Sequence, residues 1–223
     1  SVTIQQMVRS DLGASGVMFT VDTESGFKDL LIINGSWGLG EMIVQGEVSP
    51  DEFFVYKPKL NQSDLIPIID KRLGVKERKM IYSPGRKGIR PVKIVAAKSG
   101  ERTSFVLNEA EVLVLARWGV IIEDHYTKKH GKWTPMDLEW AKDGKTGELF
   151  IVQARPETIQ AEKDFSKLKE YSIKETGTPL VSGVSVGTAV ATGKARVILD
   201  AKHIGQFQAG EILVTDMTDP DWE

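Results

Sequence analysis

Four polar residues in the second half of the chain have the types and spacing of a site for magnesium and phosphate. Asp137 and Glu139 lie two positions apart, and so do Gln153 and Arg155. Since side chains alternate across a β-strand, each pair shares one face, and all four groups converge if residues 137 and 153 lie opposite each other. Carboxylate and amide oxygens suit Mg²⁺ and a guanidinium forks onto phosphate oxygens, so the set could serve a nucleotide triphosphate.

An amphipathic hairpin that binds nothing is the alternative interpretation of the same residues. Antiparallel strands commonly bury one face and leave the other in water. Strict alternation would give the two strands an apolar face made of Met136, Leu138, Trp140, Phe150, Val152 and Ala154. A binding site is favoured because Gln153 and Arg155 interrupt an apolar strand just before Pro156.

Three other segments could contribute to a cofactor site. Residues 35–41 form a glycine-rich turn ahead of a short helix, which can present backbone N–H groups to phosphate or ribose, or can simply be a tight turn that needs glycine. Residues 15–20 could line a pocket, although such apolar strands usually belong to the core. Met7 and Val8 could offer backbone groups to an adenine, but a strand that does so looks the same in sequence as any other strand.

Several other chemistries are excluded or not expected. The absence of cysteine rules out disulfides, thiolate zinc sites and cysteine nucleophiles. His125 and His130 are five positions apart, a spacing that does not stack on a helix, and His203 is distant from both, so metal ligation by histidine is not expected. The charge runs at 76–79 and 128–129 predict solvated surface.

The length and charge of the chain restrict its class. Its 223 residues suit one large domain, or one domain and a piece of another. With 29 basic against 31 acidic residues, the formal charge of −2 gives no bulk attraction to nucleic acid or to an anionic membrane. No apolar run approaches the roughly 20 residues of a spanning helix, so we expect a cytoplasmic protein. An apolar run directly after Ser1 and an end without a stop signal at Glu223 suggest a segment of a larger protein.

The elements that must position these residues belong to an α+β fold. A helix is predicted over 108–126, because Asn108 and Glu111 form a capping box ahead of apolar residues at helical spacing. Strands over 135–140 and 148–155, joined by a turn at 143–147, form the polar hairpin. The other predicted elements of the first part are a short helix over 39–46 and strands over 2–8, 16–21, 30–34, 52–56, 65–69, 80–82 and 92–96.

A change in composition after Arg155 divides the chain. We expect one domain over 1–160, a charged linker over 161–178 and the start of a second domain over 179–223. The second domain has predicted strands over 184–190, 193–199 and 211–215.

Seven short motifs in a fixed order carry a family resemblance. They are Gln5-x-Met7-Val8 and the segments 15–20, 37–41, 49–51, 136–140, 153–158 and 212–222. Together they resemble the phosphoenolpyruvate synthases (pyruvate, water dikinases), a group of the phosphoenolpyruvate-utilising enzymes, over nearly the whole chain. Pyruvate phosphate dikinases and related transferases share the glycine-rich and Gln-x-Arg-Pro elements, but the segments 20–26 and 137–144 are most similar to the synthases.

The resemblance implies a fold and a reaction. The first domain would be the later half of an ATP-grasp domain, with a mixed or antiparallel sheet and packed helices. The second would be the N-terminal part of a swivelling phosphohistidine domain. The whole protein, a homo-oligomer, would convert ATP, pyruvate and water to AMP, phosphoenolpyruvate and orthophosphate through a phosphohistidine, a gluconeogenic step. Pyruvate phosphate dikinase, another phosphohistidine transferase and a non-catalytic nucleotide-binding module are the alternatives.

The resemblance also implies roles for the polar hairpin. Glu139 and Gln153 would hold magnesium on the nucleotide phosphates, and Arg155 would contact the transferring phosphates. The phosphoacceptor histidine motif, the pyruvate site and the first ATP-grasp half do not occur in this sequence, so the segment alone is expected to be inactive.

The resemblance also implies assignments outside the hairpin. Met7 and Val8 would lie at the adenine hinge, and Glu41 would reach ribose or phosphate. Residues 127–134 are longer than the usual joint in these families, which predicts a surface insertion.

Overall fold

The computed structural model describes residues 2–62, 64–83, 91–157, 177–178, 180–181, 190–216 and 222. Contacts within the chain divide it into two compact units, Ser1–Lys167 and Leu168–Glu223. The predicted linker at 161–178 and the predicted strand at 184–190 lie almost wholly outside the described residues. The domain limits inferred from the sequence therefore remain predictions.

The first unit is built on a six-stranded antiparallel sheet. Its strands are β1 (Ala14–Phe19), β2 (Leu30–Trp37), β3 (Asp51–Tyr56), β4 (Ile68–Arg72), β7 (Met136–Lys142) and β8 (Leu149–Pro156), while β5 (Arg78–Tyr82) and β6 (Val92–Ala96) form a separate antiparallel hairpin. The sheet order is β4-β3-β2-β1-β7-β8, so the early strand β1 pairs with the late strand β7. The α-helices of the described residues in this unit are α1 (Glu41–Val44), α2 (Ser99–Arg102) and α3 (Glu109–His130), and short 3₁₀ helices lie at Ser10–Leu12 and Lys57–Lys59. The α+β class expected from the sequence is confirmed.

One face of the sheet packs against α3 and carries the hydrophobic core. The fully buried cluster consists of Ala14, Met18, Leu31, Ile33, Phe53, Val55, Leu60, Val106, Leu107, Val112, Leu115, Ala116, Met136, Leu138 and Trp140. Gly119 brings the helix close to the sheet, since a Cβ at this position would lie 2.9 Å from Leu31 Cδ1. The opposite face of β1 and β7 is therefore the one available for a site.

The helix α3 begins as predicted and ends later. The Asn108 side chain accepts a hydrogen bond from the Glu111 N–H, and the Glu111 side chain accepts one from the Asn108 N–H. Gly131 ends the helix with a φ of 67°, a left-handed cap that favours glycine. Residues 127–130, predicted to belong to a surface insertion, are thus the last turn of α3, and Lys128, Lys129 and His130 are exposed.

A large indole fills a space that two glycines leave above the centre of the sheet. Trp140 is 1% exposed, and its Nε1 donates to the Asn34 carbonyl oxygen at 3.1 Å. A Cβ at Gly16 or at Gly35 would lie 2.8 Å from the Trp140 ring. The absence of a Cβ at the two glycines therefore leaves room for the Trp140 ring, which packs β7 against β1 and β2.

A buried ion pair corrects the prediction that residues 76–79 are all solvated surface. Lys76 and Asp51 are both 0% exposed and form a salt bridge, and Lys76 Nζ also donates to the Gly74 carbonyl oxygen. Asp51 in addition accepts the N–H groups of Gly74 and Val106. The pair therefore joins three separate segments of the chain beside the sheet.

Two predicted strands differ from the structure. Residues 2–8, β-branched in composition, form no strand, and no backbone hydrogen bond joins them to any other described residue. The strand predicted at 65–69 begins later, as β4 at Ile68, directly after Pro67, which has no N–H to donate to a neighbouring strand. A segment without backbone partners among the described residues thus leads, through a 3₁₀ turn at Ser10–Leu12, into β1.

The second unit contains a small parallel pair of strands. These are β9 (Lys194–Val197) and β10 (Glu211–Val214), with a 3₁₀ helix at Ala201–Gln206 between them. Arg196 and Glu211 form a two-point ion pair, Nε to Oε2 at 3.0 Å and Nη2 to Oε1 at 2.5 Å. In the part of the chain that the structure describes, no helix is both long and apolar enough to span a bilayer.

Candidate functional site

The polar hairpin forms, but its register differs from the one considered from the sequence. Asp137 lies opposite Arg155 and Glu139 lies opposite Gln153, rather than 137 opposite 153. Opposed residues of an antiparallel pair project from the same face, so all four polar groups still share the face away from α3.

A bulge at Val152 explains the changed pairing. The register shifts after Glu139, and Trp140 pairs with Ile151, so Val152 is the extra residue of β8. Ile151 and Leu149 consequently pack against the core, and the predicted apolar face containing Phe150 and Val152 was wrong. Val152 instead turns toward the site, where its carbonyl oxygen accepts a long hydrogen bond of 3.5 Å from Gln5 Nε2.

Asp137 fixes the side chain of Arg155. Arg155 Nε donates to Asp137 Oδ2 at 2.7 Å, and Nη2 lies at the same distance from this oxygen. The hydrogen bond and the negative charge of Asp137 raise the pKa of Arg155, so the guanidinium stays protonated. Its side chain is nevertheless 65% exposed, so it presents a fixed positive charge to solvent at the edge of the hairpin.

Glu139 and Gln153 form the second polar pair of the hairpin. Neither side chain has a hydrogen-bond partner among the residues that the structure describes, and Gln153 is exposed while Glu139 is half-buried. Two oxygen donors on facing strands, without hydrogen bonds to the protein, fit a magnesium ion whose other ligands come from phosphate and water. No group of three or more histidine or acidic side chains within the described ranges could hold a metal ion by itself.

A cavity of about 290 Å³ lies between the N-terminal segment and the face of β1 and β7 that points away from α3. It is lined by Gln5, Gln6, Met7, Val8, Ser10, Ser15, Gly16, Val17, Gly40, Val44, Glu139, Trp140, Ala141 and Val152. Of the residues predicted for the site, Met7, Val8 and Glu139 line this cavity, as do Ser15, Gly16 and Val17 of the segment 15–20 and Gly40 of the segment 35–41. Gln153 and Arg155 do not line it but lie across the hairpin from Glu139 and Asp137.

The N-terminal segment supplies one wall of the cavity with free main-chain groups. Residues 5–8 pass over the β1 and β7 strands without backbone partners among the described residues. Met7 is 68% exposed, and its Sδ accepts a hydrogen bond from the Tyr82 hydroxyl at 3.4 Å. Free N–H and C=O groups beside a cavity of mixed polar and apolar lining can pair with the edge of a planar heterocycle.

The glycine-rich turn uses its N–H groups for hydrogen bonds within the fold. The Gly38 N–H donates to the Gly13 carbonyl oxygen, the Leu39 N–H donates to the Met80 carbonyl oxygen, and Gly38 has a φ of 87°. These two N–H groups are therefore not available to phosphate. Glu41 begins α1, outside the cavity lining, and its Oε1 accepts from Gln45 Nε2 at 3.2 Å, so its contact with ribose or phosphate stays a prediction.

Sequence reasoning missed part of the cavity wall. Ala141 follows Glu139 on the same strand face, so alternation along β7 could have found it. Val44 enters because α1 lies against β1, where a Cβ at Gly40, a member of the predicted segment 35–41, would lie 3.4 Å from Ser15 Oγ. Val152 could not be found, because only the bulge turns it toward the cavity.

Comparison with known proteins supports a nucleotide site. A family model described as "Pyruvate phosphate dikinase, AMP/ATP-binding domain" matches residues 1–175. The chain is 56% identical to a phosphoenolpyruvate synthase of Aquifex aeolicus, 53% to one of Synechocystis and 45% to one of Escherichia coli, each over 100% of the chain. It spans only about a quarter of these relatives, 26%, 27% and 27% of their lengths.

Proposed function

The chain belongs to the family of pyruvate phosphate dikinase AMP/ATP-binding domains, and on that premise we propose that its first unit is the ATP-binding part of a phosphoenolpyruvate synthase. In finer detail, this unit is the later half of an ATP-grasp domain, and the second unit is the first part of the phosphohistidine domain. The observation that carries the proposal is the convergence of the hinge residues Met7 and Val8 with Glu139 on one cavity, beside Gln153 and Arg155.

The base and phosphate ends of the nucleotide occupy different parts of this site. The adenine lies in the cavity against the free main-chain groups of Met7 and Val8. The phosphates extend toward the open end of the hairpin, where Arg155 offers a positive charge that Asp137 holds in place. We infer this order because the free main-chain groups of Met7 and Val8 line the cavity, whereas the positive charge of Arg155 lies on the hairpin outside the cavity lining.

Glu139 and Gln153 hold magnesium on the phosphates. Their oxygens are hard donors on facing strands, and neither side chain makes a hydrogen bond within the described part of the chain. Magnesium, when bound, neutralises charge that develops on the phosphates during transfer. Arg155 acts on the same charge from the neighbouring hairpin position, so the three side chains stabilise the transition state rather than the fold.

We extend the proposal to the reaction of the whole protein, supported by the name that its relatives carry. ATP phosphorylates a histidine outside this segment, and the phosphoryl group passes to pyruvate, with AMP, phosphoenolpyruvate and orthophosphate as products. Water accepts the other phosphoryl group. We place this protein in the cytoplasm as a homo-oligomer, with its pyruvate site outside the present segment.

Phosphorus NMR of the complete protein with Mg-ATP and pyruvate tests the reaction. Formation of AMP, phosphoenolpyruvate and orthophosphate, without a requirement for added phosphate, supports the synthase. Phosphate-dependent formation of pyrophosphate would identify a dikinase instead. ATP binding without any pyruvate-dependent product would point to another phosphoryl acceptor. An affinity for ATP that does not depend on magnesium would favour a non-catalytic nucleotide-binding module.

Substitutions in the complete protein test the site. We expect Glu139→Gln, Gln153→Ala and Arg155→Ala each to lower histidine phosphorylation by about a hundredfold or more. Arg117→Ala on the exposed side of α3 and Glu148→Gln beside the hairpin turn are the matched controls, since both side chains are exposed and away from the site. Unchanged phosphorylation in all three site variants would refute the hairpin assignment.

A further inference from the structure

Arg9 directly follows the hinge residues Met7 and Val8. Its main chain both donates a hydrogen bond to the turn of the polar hairpin and accepts one from it. The Arg9 N–H donates to Asp143 Oδ2 at 3.0 Å, and the Gly144 N–H donates to the Arg9 carbonyl oxygen at 3.1 Å. Asp143 and Gly144 belong to the turn between β7 and β8, and Asp143 is 134 positions from Arg9 along the chain. The two hydrogen bonds thus connect the end of the hinge with the strands that carry Glu139 and Gln153.

Each oxygen of Asp143 has a different task. Oδ1 accepts the N–H groups of Lys145 at 2.7 Å and Thr146 at 3.2 Å, which closes the hairpin turn. Oδ2 accepts the N–H of Arg9, outside the turn. These backbone N–H groups, that of Arg9 first, lower the pKa of Asp143, so its carboxylate is ionised at neutral pH. Closing the turn needs only one acceptor oxygen, so the second is available to hold the hinge.

Two glycines bring the segments into direct main-chain contact. A Cβ at Gly144 would lie 2.1 Å from the Leu12 carbonyl carbon, and a Cβ at Gly13 would lie 2.4 Å from the Lys142 carbonyl oxygen. The backbone after the hinge therefore packs on the backbone of the turn without an intervening side chain. Any shift of the turn is transmitted to Arg9.

The Arg9 side chain is held separately from its main chain. Its Nε and Nη2 donate to Asp11 at 2.7 and 2.9 Å, and its guanidinium lies 5.9 Å from the centre of the Tyr82 ring. Within the described part of the chain, the hydrogen bonds of residues 5–8 are, by contrast, only those of the Gln5 and Met7 side chains. The link between Arg9 and Asp143 is thus the main-chain anchor of the hinge among the described residues.

We propose that Asp143 is a positioning residue that sets the hinge main chain at a fixed distance from the magnesium-binding side of the hairpin. The inference rests on the proposed function, because it needs the base at residues 5–8 and the phosphates at Glu139 and Gln153. By holding Arg9, Asp143 aligns the main-chain groups of Met7 and Val8 with the edge of adenine. It therefore contributes to the choice of adenine over guanine without touching the nucleotide.

The first test is Asp143→Asn in the complete protein, with nucleotide binding measured by calorimetry. The substitution keeps one oxygen for the turn and places an amide N–H₂ where Arg9 donates, so the hinge loses its anchor. We expect the Kd for Mg-ATP to rise about tenfold and the preference for ATP over GTP to fall by a similar factor. Partial unfolding would lower the active fraction for both nucleotides equally, so the preference separates positioning from stability.

Three further variants control this test. Thr146→Ala removes only the hydrogen bond from the Glu148 N–H to Thr146 Oγ1 within the same turn, and it should leave the preference unchanged. Arg9→Pro removes the N–H that Asp143 accepts, and the φ of −83° at Arg9 is close to the range of proline. Arg9→Ala loses the same side chain but keeps the N–H, so Arg9→Pro should reproduce the Asp143→Asn effect and Arg9→Ala should not.

The outcomes distinguish this inference from the function on which it rests. No binding of Mg-ATP by the unmodified protein would overturn both. ATP binding with the same nucleotide preference in Asp143→Asn and Arg9→Pro as in the unmodified protein would overturn the positioning role alone. An equal loss of preference in Thr146→Ala would also overturn it, since the integrity of the turn would then be the cause. A loss confined to Asp143→Asn and Arg9→Pro supports it.

Discussion

Nε and Nη2 of Arg155 both lie 2.7 Å from one oxygen, Oδ2, of Asp137, the residue directly opposite on the neighbouring strand. The Asp137 side chain is only 10% exposed, whereas that of Arg155 is 65% exposed. A buried carboxylate thus fixes an exposed cation whose remaining N–H groups face solvent. In the proposed site, Asp137 orients Arg155 before the nucleotide arrives.

This relationship predicts a non-additive pair of substitutions. Asp137→Asn should lower histidine phosphorylation by the complete protein about tenfold, because Arg155 keeps its charge but loses its fixed orientation. Arg155→Ala should lower it further, and the double variant should be no worse than Arg155→Ala alone. Rapid-quench measurement of phosphohistidine gives all three rates. Additive losses would show that Asp137 acts independently of Arg155.

The buried pair of Lys76 and Asp51 predicts a large stability effect. Lys76→Met leaves the Asp51 carboxylate buried without a cation, which costs about 3–5 kcal/mol of unfolding free energy. Replacing Asp51 by Asn in the same chain should recover part of this loss. Urea unfolding measures both variants, and hydrogen exchange at the Gly74 and Val106 N–H groups reports the local change, since Asp51 accepts both. Lys93→Met, at an exposed lysine, is the control and should change stability by less than about 0.5 kcal/mol.

A buried glutamate predicts a pH dependence of stability. Lys57 Nζ and Trp133 Nε1 each donate to the Glu123 carboxylate at 2.7 Å. Burial raises the pKa of Glu123 above its ordinary value, although the charge and hydrogen bond of Lys57 oppose the rise. Between the ordinary and the raised pKa, the folded chain therefore binds more protons than the unfolded chain. The contribution of Glu123 to the unfolding free energy is fully present below the ordinary pKa and is lost as the pH rises through the raised pKa.

Substitution of Glu123 should remove this dependence. We expect Glu123→Gln to flatten the fall of the urea midpoint with rising pH across that window. Glu109→Gln, on the exposed first turn of the same helix, should keep the slope of the unmodified chain. An equal slope in all three proteins would show that Glu123 does not titrate there.

The space above Gly16 predicts that it tolerates no side chain. A Cβ at this position would lie 1.8 Å from the Asn34 carbonyl oxygen and 2.8 Å from the Trp140 ring. Gly16→Ala should therefore lower the unfolding free energy by about 3 kcal/mol or prevent folding. Thermal unfolding measures the loss, and Gly100→Ala, in α2 with nothing within 4 Å of the new methyl group, should be neutral or slightly stabilising.

The elements that depend on neighbouring residues could be predicted from the sequence. The start of α3 follows from the capping box of Asn108 and Glu111, and the hairpin follows from alternation around a glycine-containing turn. The four polar side chains of the hairpin share one face as expected. Local hydrogen bonds and strand periodicity involve residues that are close along the chain, so they can be recognised from the sequence alone.

The features that depend on distant contacts could not be predicted. The bulge at Val152 and the buried position of Lys76 arise from packing against other segments. Residues 2–8 have the composition of a strand but no strand partner among the described residues. Asp143 has the sequence context of an ordinary turn residue, and its bond to Arg9 joins positions 134 apart. Sequence patterns describe what a segment can form, and the fold decides what it contacts.

The pairing of β1 with β7 also determines when the site can exist during folding. The Met136 N–H donates to Thr20 Oγ1 across a separation of 116 positions, at the junction of these two strands. Closing so long a loop is entropically costly and slow, whereas the β7–β8 hairpin and α3 need only local contacts. The cavity lies across both strands, so we expect nucleotide binding to appear with the last phase of refolding, after most secondary structure has formed.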